Sequence, residues 1–200
     1  FALHRLGDTS HSHELEQTAT DVNPHIRGDT AMILGMIGDR SALPILAHMV
    51  KTDHNPTVVL QAAEAMWKLG DERGLDELVG ATISRYPDDQ MVALLALAGP
   101  HDTRVLGHIE GLMTEQYPEV TLVAARAAGM LGSDDGYGIA LNGAKSVDPR
   151  QRLLAALALG AIGRADAQPV LATLLKDSDP DTRLAAAAAL VQVAEHAPHD

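Results

Sequence analysis

The sequence predicts an all-α fold, an α-solenoid of about six helical hairpins, and three observations carry that prediction. Six prolines, Pro24, Pro56, Pro87, Pro118, Pro149 and Pro180, recur at a nearly constant step. A period of about 31 residues is the mark of stacked structural repeats. Glycines recur in step with them: Gly38, Gly70, Gly132 and Gly163 each stand at the same distance past a proline. Finally, 46% of the 200 residues are hydrophobic, yet the aromatic ones are only Phe1, Trp67, Tyr86, Tyr117 and Tyr137. Alanine and leucine carry the burial, which favours closely packed helices over a sheet.

Aligned on the prolines, the units read PHIRGDTAMILGMIGD, PTVVLQAAEAMWKLGD, PDDQMVALLALAGPHD, PEVTLVAARAAGMLGS, PRQRLLAALALGAIGR and PDTRLAAAAALVQVAE. Each proline is preceded by Asn23, Asn55, Tyr86, Tyr117, Asp148 or Asp179. Four of these are good N-cap residues, and proline suits the first helical position, so a helix starts at every proline. It stops at the glycine, which accepts the left-handed conformation that follows a last turn. Gly7 has the phase of Gly38, so FALHRL at the start of the chain reads as the tail of an earlier first helix.

A second helix follows each turn. ALPILAHMV (42–50) and AQPVLATLLKD (167–177) show it best, with Pro44 and Pro169 in their first turns. Leu46, Met49 and Val50 in one, and Leu171, Leu174 and Leu175 in the other, recur at three- and four-residue steps and are expected in the core. The first helices carry two apolar stripes. In the fifth unit one runs through Ala155, Ala158, Leu159 and Ile162, the other through Leu153, Ala156 and Gly160. A helix apolar on two sides is buried on two sides, between its own partner and the next hairpin. Trp67 has the phase of Gly35, Ala98, Gly129 and Gly160 and is expected to pack against a neighbouring hairpin. In the third unit Gly99 and Pro100 should end the first helix early, near Ala98. The expected organisation is one array over 1–200, with units at 1–22 (partial), 23–54, 55–85, 86–116, 117–147, 148–178 and 179–200 (partial).

The formal net charge of -12 argues against nucleic-acid binding, which needs a lysine and arginine surplus. No stretch approaches the roughly 20 apolar residues of a membrane span, so no membrane insertion is expected. The absence of cysteine excludes disulfides, thiolate metal sites and cysteine nucleophiles but indicates no compartment. Phe1 in place of an initiator methionine leads to the expectation that the chain is a module of a longer polypeptide.

The pattern Asp-x-Asp-Pro-x-x-Arg-x-x-Ala-x-x-Ala-Leu-Gly-x-Ile-Gly resembles HEAT repeats, specifically the short type first described in phycobilin lyase subunits. It is carried by SDPDTRLAAAAAL (178–190), DPRQRLLAALALGAIG (148–163) and IRGDTAMILGMIGD (26–39). The arginine three places after proline stands as Arg27, Arg152 and Arg183, whereas Val59, Gln90 and Thr121 depart from it. The resemblance covers essentially the whole chain and implies a right-handed, armadillo-like superhelix. For function it implies, first, a non-enzymatic scaffold that binds a protein or peptide. Some arrays of this kind are lyase or chaperone subunits handling a tetrapyrrole-like ligand, a few are DNA glycosylases, and one branch is a dimetal hydroxylase.

The residues carry no nucleophile motif and no glycine-rich phosphate loop, so no catalytic residue, cofactor or metal is assigned. His11, His13 and Glu14 form the densest cluster of metal-ligating types. The hydroxylases have His-Glu pairs in several repeats; here there is one, His13-Glu14, and Glu195-His196 is reversed. His11 falls in the turn between hairpin helices, which favours an exposed turn over a metal site. Two surfaces are candidates for a partner. One is a polar ladder on the second helices, including His48, Glu110, Asn142, Lys145 and Thr173. The other is an outward apolar stripe on the first helices, Val92, Leu95, Val123, Leu154 and Leu157, where an exposed run would mark a contact patch. The oligomeric state is not legible.

Overall fold

The computed structural model describes residues 12–196, and the side chains of 15–196. The expected helix tail at FALHRL lies outside these residues. The chain divides into two compact units, Phe1–Pro100 and His101–Asp200. The first holds α1 (Ser12–Thr18), α2 (Pro24–Ile37), α3 (Leu43–Thr52), α4 (Pro56–Lys68), α5 (Glu72–Ala81) and α6 (Pro87–Ala98). The second holds α7 (Leu106–Gly111), α8 (Pro118–Met130), α9 (Tyr137–Gly143), α10 (Pro149–Ile162), α11 (Gln168–Leu174) and α12 (Pro180–His196). There is no strand among the described residues, and no helix among them is long and apolar enough to cross a membrane.

Every first helix starts at its proline, as the sequence predicts. The residue before proline is barred from helical geometry and so falls at the N-cap. Asn23 accepts the His25 N–H at 3.0 Å, Asn55 that of Thr57 at 3.0 Å, Asp148 that of Arg150 at 2.9 Å and Asp179 that of Thr182 at 2.7 Å. Tyr86 and Tyr117 make no side-chain cap. A second layer of bonds lies three residues before proline. Asp21, Asp53, Ser84, Ser146 and Asp177 accept the N–H of Asn23, Asn55, Tyr86, Asp148 and Asp179 at 2.8, 2.9, 3.2, 3.1 and 2.9 Å. Five of these six loops are thereby held by bonds between near neighbours, independent of helix packing.

Gly38, Gly70, Gly132 and Gly163 close their turns at φ 81°, 78°, 89° and 74°. The third hairpin differs. Pro100 cannot continue a helix, α6 ends at Ala98, and the left-handed position falls to His101 at φ 57°. Its imidazole Nδ1 lies 3.2 Å from the Met130 carbonyl. In the first unit the corresponding reach is made by Arg40, which donates to the Leu69 carbonyl at 2.5 Å.

Within the first unit α2 packs on α4 and α4 on α6, with α3 and α5 laid against α4. Ala31, Leu34, Leu46, Met49, Val58, Ala62 and Met66 form the centre of that core. In the second unit α8 packs on α10 and α10 on α12, with α9 and α11 alongside. Leu122, Ala125, Ala140, Ala155, Leu159, Leu171, Ala186 and Val193 fill it. Both stripes of α10 are covered: Ala155, Ala158, Leu159, Ala156 and Gly160 are buried, with Leu153 and Ile162 partly so. Trp67 is buried, as a packing residue should be. Leu175 departs from expectation. It stands 40% exposed, whereas its counterpart one hairpin earlier, Ala144, is buried. The position is a core position only where another hairpin lies against it.

Small residues set the spacing of the stack. A Cβ on Gly160 would lie 2.7 Å from Ala189 Cα and 2.8 Å from its Cβ, and one on Gly129 would lie 2.8 Å from the Ile162 nitrogen. Gly160→Leu should therefore force α10 and α12 apart and lose about 1–3 kcal/mol. Lys176→Leu, on an exposed face, should change stability little. Urea denaturation of the two variants checks this; equal effects would mean that the helix faces are misassigned.

Candidate functional site

The site is built on the loops that precede the prolines. Arg27, three residues into α2, reaches the loop after α3 and pairs with Asp53 through both prongs, Nε to Oδ2 at 2.6 Å and Nη2 to Oδ1 at 2.8 Å. Its Nη1 donates to the carbonyls of Asp21 and Val22 at 2.7 and 3.2 Å. Arg152 repeats the arrangement in the second unit, pairing with Asp177 at 2.7 and 2.8 Å and with the carbonyls of Ser146 and Val147 at 3.0 Å each. Arg183 keeps the carbonyl half, donating to Asp177 and Ser178 at 2.9 and 3.0 Å. Gln90 also keeps part of it. Its Nε2 donates to the Ser84 carbonyl at 2.7 Å, while its Oε1 is buried without a hydrogen-bond partner. An amide has one donor group where a guanidinium has a fork, and the second contact is lost.

These pairs are largely sheltered: the side chains of Arg27 and Asp53 are 18% and 6% exposed, those of Arg152 and Asp177 15% and 10%. The guanidinium of Arg27 holds the Asp53 carboxyl below the usual range against the opposing effect of burial, and the Asn55 N–H adds to it. Asp177 is lowered to about 2, first by the Arg152 fork and then by the Asp179 N–H. Such bidentate, charge-assisted pairs fix geometry as well as charge.

Above each of these floors lies an open recess. In the first unit a recess of about 260 Å³ is lined by Asp21, Arg27, His48, Met49, Thr52 and Asp53, among others. In the second unit one of about 530 Å³ is lined by Ala144, Arg152, Thr173, Leu174, Lys176 and Asp177. Arg152, Thr173, Leu174 and Asp177 hold the repeat positions of Arg27, His48, Met49 and Asp53. A third recess, of about 400 Å³, is lined by Thr121, Leu122, Asn142, Gly143, Lys145 and Ser146. Its floor lacks the arginine. Instead Ser146 donates to Gln151 Oε1 at 2.8 Å, and Gln151 Nε2 to Glu119 at 3.2 Å.

The ladder residues predicted from sequence thus divide. His48, Asn142, Lys145 and Thr173 are exposed and line recesses. Glu110 does not join them; it is half-buried and accepts the Ser133 hydroxyl at 2.7 Å. The apolar stripe is broken. Val92 is 39% exposed and Leu95 half-buried in the first unit. In the second, Leu154 and Leu157 are half-buried, but Val123 is 2% exposed. Val123 continues the buried row Val120, Ala124, Ala127 of α8, three and four residues apart, and cannot stand outward. Arg126 takes the phase of Leu157 in the preceding hairpin; burial holds its guanidinium below its ordinary value. Among the described residues no three histidine or acidic side chains gather as metal ligands. His11 and the side chains of His13 and Glu14 lie outside them.

Hairpins repeated at a fixed period, with open recesses recurring at one repeat position, define an α-solenoid repeat protein. The family model for HEAT repeats matches residues 12–98 and 139–198, and the chain belongs to that family. No curated protein matches it in sequence. Among solved structures it is similar to an engineered protein, with 22% identity, a TM-score of 0.49, and coverage of 91% of this chain and 96% of that one. A designed armadillo repeat protein shows 15% identity, a TM-score of 0.49 and coverage of 90% and 98%. Human deoxyhypusine hydroxylase in complex with glycerol shows 18% identity, a TM-score of 0.41 and coverage of 98% and 88%. Likeness at this level does not extend to function.

The paired aspartates give the fold an acid limit. Their carboxyls titrate lower in the folded than in the unfolded chain, where an aspartate sits near pH ~4. The stabilisation is therefore complete above that pH and is lost as pH falls towards the folded value, about 2 for Asp177. Asp177→Asn should lower stability at pH 7 and flatten its decline between about pH 4 and 2. Thermal melts of both proteins across that range check the sign.

Proposed function

We propose that the chain is a non-enzymatic scaffold that holds a protein or peptide partner along the recesses of its second helices. The single observation that carries this reading is the recurrence of an open recess, lined by apolar and polar side chains together, at one repeat position, with His48, Asn142 or Thr173 on its wall. Repetition at a fixed step suits an extended polypeptide, whose own groups repeat every 3.2–3.4 Å. A tetrapyrrole-like ligand would call for an enclosed cavity, whereas these recesses are open.

Charge narrows the partner. In the second unit the exposed Lys145 and Lys176 edge the two recesses, one repeat apart. Asp177 beside Lys176 is occupied by Arg152. Segments carrying acidic side chains fit such a row, although the chain as a whole is strongly acidic.

Selection from a displayed random-peptide library tests the reading. Peptides enriched in acidic residues should bind, and Lys145→Glu with Lys176→Glu should weaken them by roughly tenfold or more, with tighter binding at low salt. Peptides that survive this change and are lost on Val92→Glu would move the interface to the first helices.

A further inference from the structure

In the second unit α8 carries a charge that the recesses do not use. Among the described residues Arg27, Arg73, Arg104, Arg152 and Arg164 each pair with an aspartate. The Arg126 side chain makes neither an ion pair nor a hydrogen bond among the described residues. It is half-buried, yet none of its nitrogens is sealed from solvent. Burial lowers its guanidinium with no carboxylate to raise it again, whereas aspartates raise those of Arg27, Arg73 and Arg152. The chain has 27 aspartates and glutamates, so the lack of one here is not scarcity.

The repeat position makes the missing partner informative. One hairpin later the position holds Leu157, which packs on the core of the second unit. The repeat thus suits an aliphatic side chain here. In the first unit the same position holds Glu64, and Lys68, four residues on, neutralises it at 2.5 Å. Arg126 has Leu122, Val123, Gly129 and Met130 at the three- and four-residue steps, so its own helix offers no counter-charge. Glu119, two turns back, already accepts from Gln151 at 3.2 Å. Gly129, one turn on, faces Ala161 and Ile162 of α10, and α10 carries half-buried Leu154 and Leu157 at the repeat positions of Val123 and Arg126. A guanidinium taken partly out of water without a counter-charge costs stability. A carboxylate brought from outside would recover it, because a fork onto a charge is among the strongest polar contacts. Arginines in such partly dry, apolar surroundings are frequent anchors of protein interfaces.

We propose that Arg126 anchors a second docking site, separate from the recesses, for a partner polypeptide whose aspartate or glutamate is flanked by aliphatic side chains. The carboxylate takes both prongs of the guanidinium, and the aliphatic neighbours lie on Leu154 and Leu157. The site is therefore specific for an acid in an apolar setting, unlike the row of lysines, which takes acidic segments through charge alone.

Selection from a displayed random-peptide library on the whole chain carrying Lys145→Glu and Lys176→Glu tests this, because that background removes the lysines of the recesses. Peptides with an acidic residue between aliphatic ones are expected. Changing that acid to its amide should weaken them by roughly tenfold or more, and adding Arg126→Leu should abolish the difference between acid and amide. A thermal melt separates this role from a structural one. Arg126→Leu, which copies Leu157, should raise the midpoint by about 2 °C or more. The proposal is overturned by the absence of any peptide that depends on Arg126, by dependence on Arg126 that is the same for acid and amide, or by a lower midpoint for Arg126→Leu.

Discussion

A proline forbids helical geometry to the residue before it and presets the helical angle at its own position. Placed once in every repeat, it divides the chain into first helices that cannot slide in register. The side chain three residues earlier then accepts the N–H of the residue before proline, and in four hairpins that residue caps the helix in turn. These are bonds between near neighbours, so each loop reaches its shape with little loss of chain entropy. The longer-range contacts run between these loops. Arg27 and Arg152 can reach across a whole hairpin to their aspartates because both ends of the bridge are fixed by those turns.

From there the spacing of the helices follows. Glycine and alanine at the facing positions of α10 and α12 let the backbones come close, and the leucines of the second helices fill the space between them. The recesses are the other side of the same arrangement. Where second helices lie over an Arg–Asp floor, their last turns leave an open recess, one in each unit. A recess made in this way is a property of the repeat.

The architecture was legible in the sequence because its determinants are local. Proline, N-cap and glycine stop can each be read from a short window of sequence, and all six starts and four left-handed glycines lie where the period puts them. His101 could have been found by the same counting, since it lies midway between Gly70 and Gly132, one repeat from each. The partners of Arg27 and Arg152 were also available as aspartates recurring just before the proline loop. What could not be read was exposure. Val123 and Val92 share a phase, yet one is buried and the other open. Leu175 has the pattern of a core residue, but it stands on the outer side of the last described hairpin. Glu110 lies on a polar face and is turned aside by Ser133. Each of these depends on which element lies opposite, and that is not written in the helix itself.

If the proline loops are the fixed points of the fold, their amides should behave as structure and not as loop. Native-state hydrogen exchange measures this residue by residue. The account predicts slow exchange at the N–H groups of Asn55, Asp148 and Asp179, held by Asp53, Ser146 and Asp177. Protection there should approach that of the helices that follow. Tyr117, preceded at the same distance by Glu115 in place of Asp or Ser, should exchange faster. Rapid exchange at all four would contradict the account, because the loops would then be consequences of helix packing and not its cause.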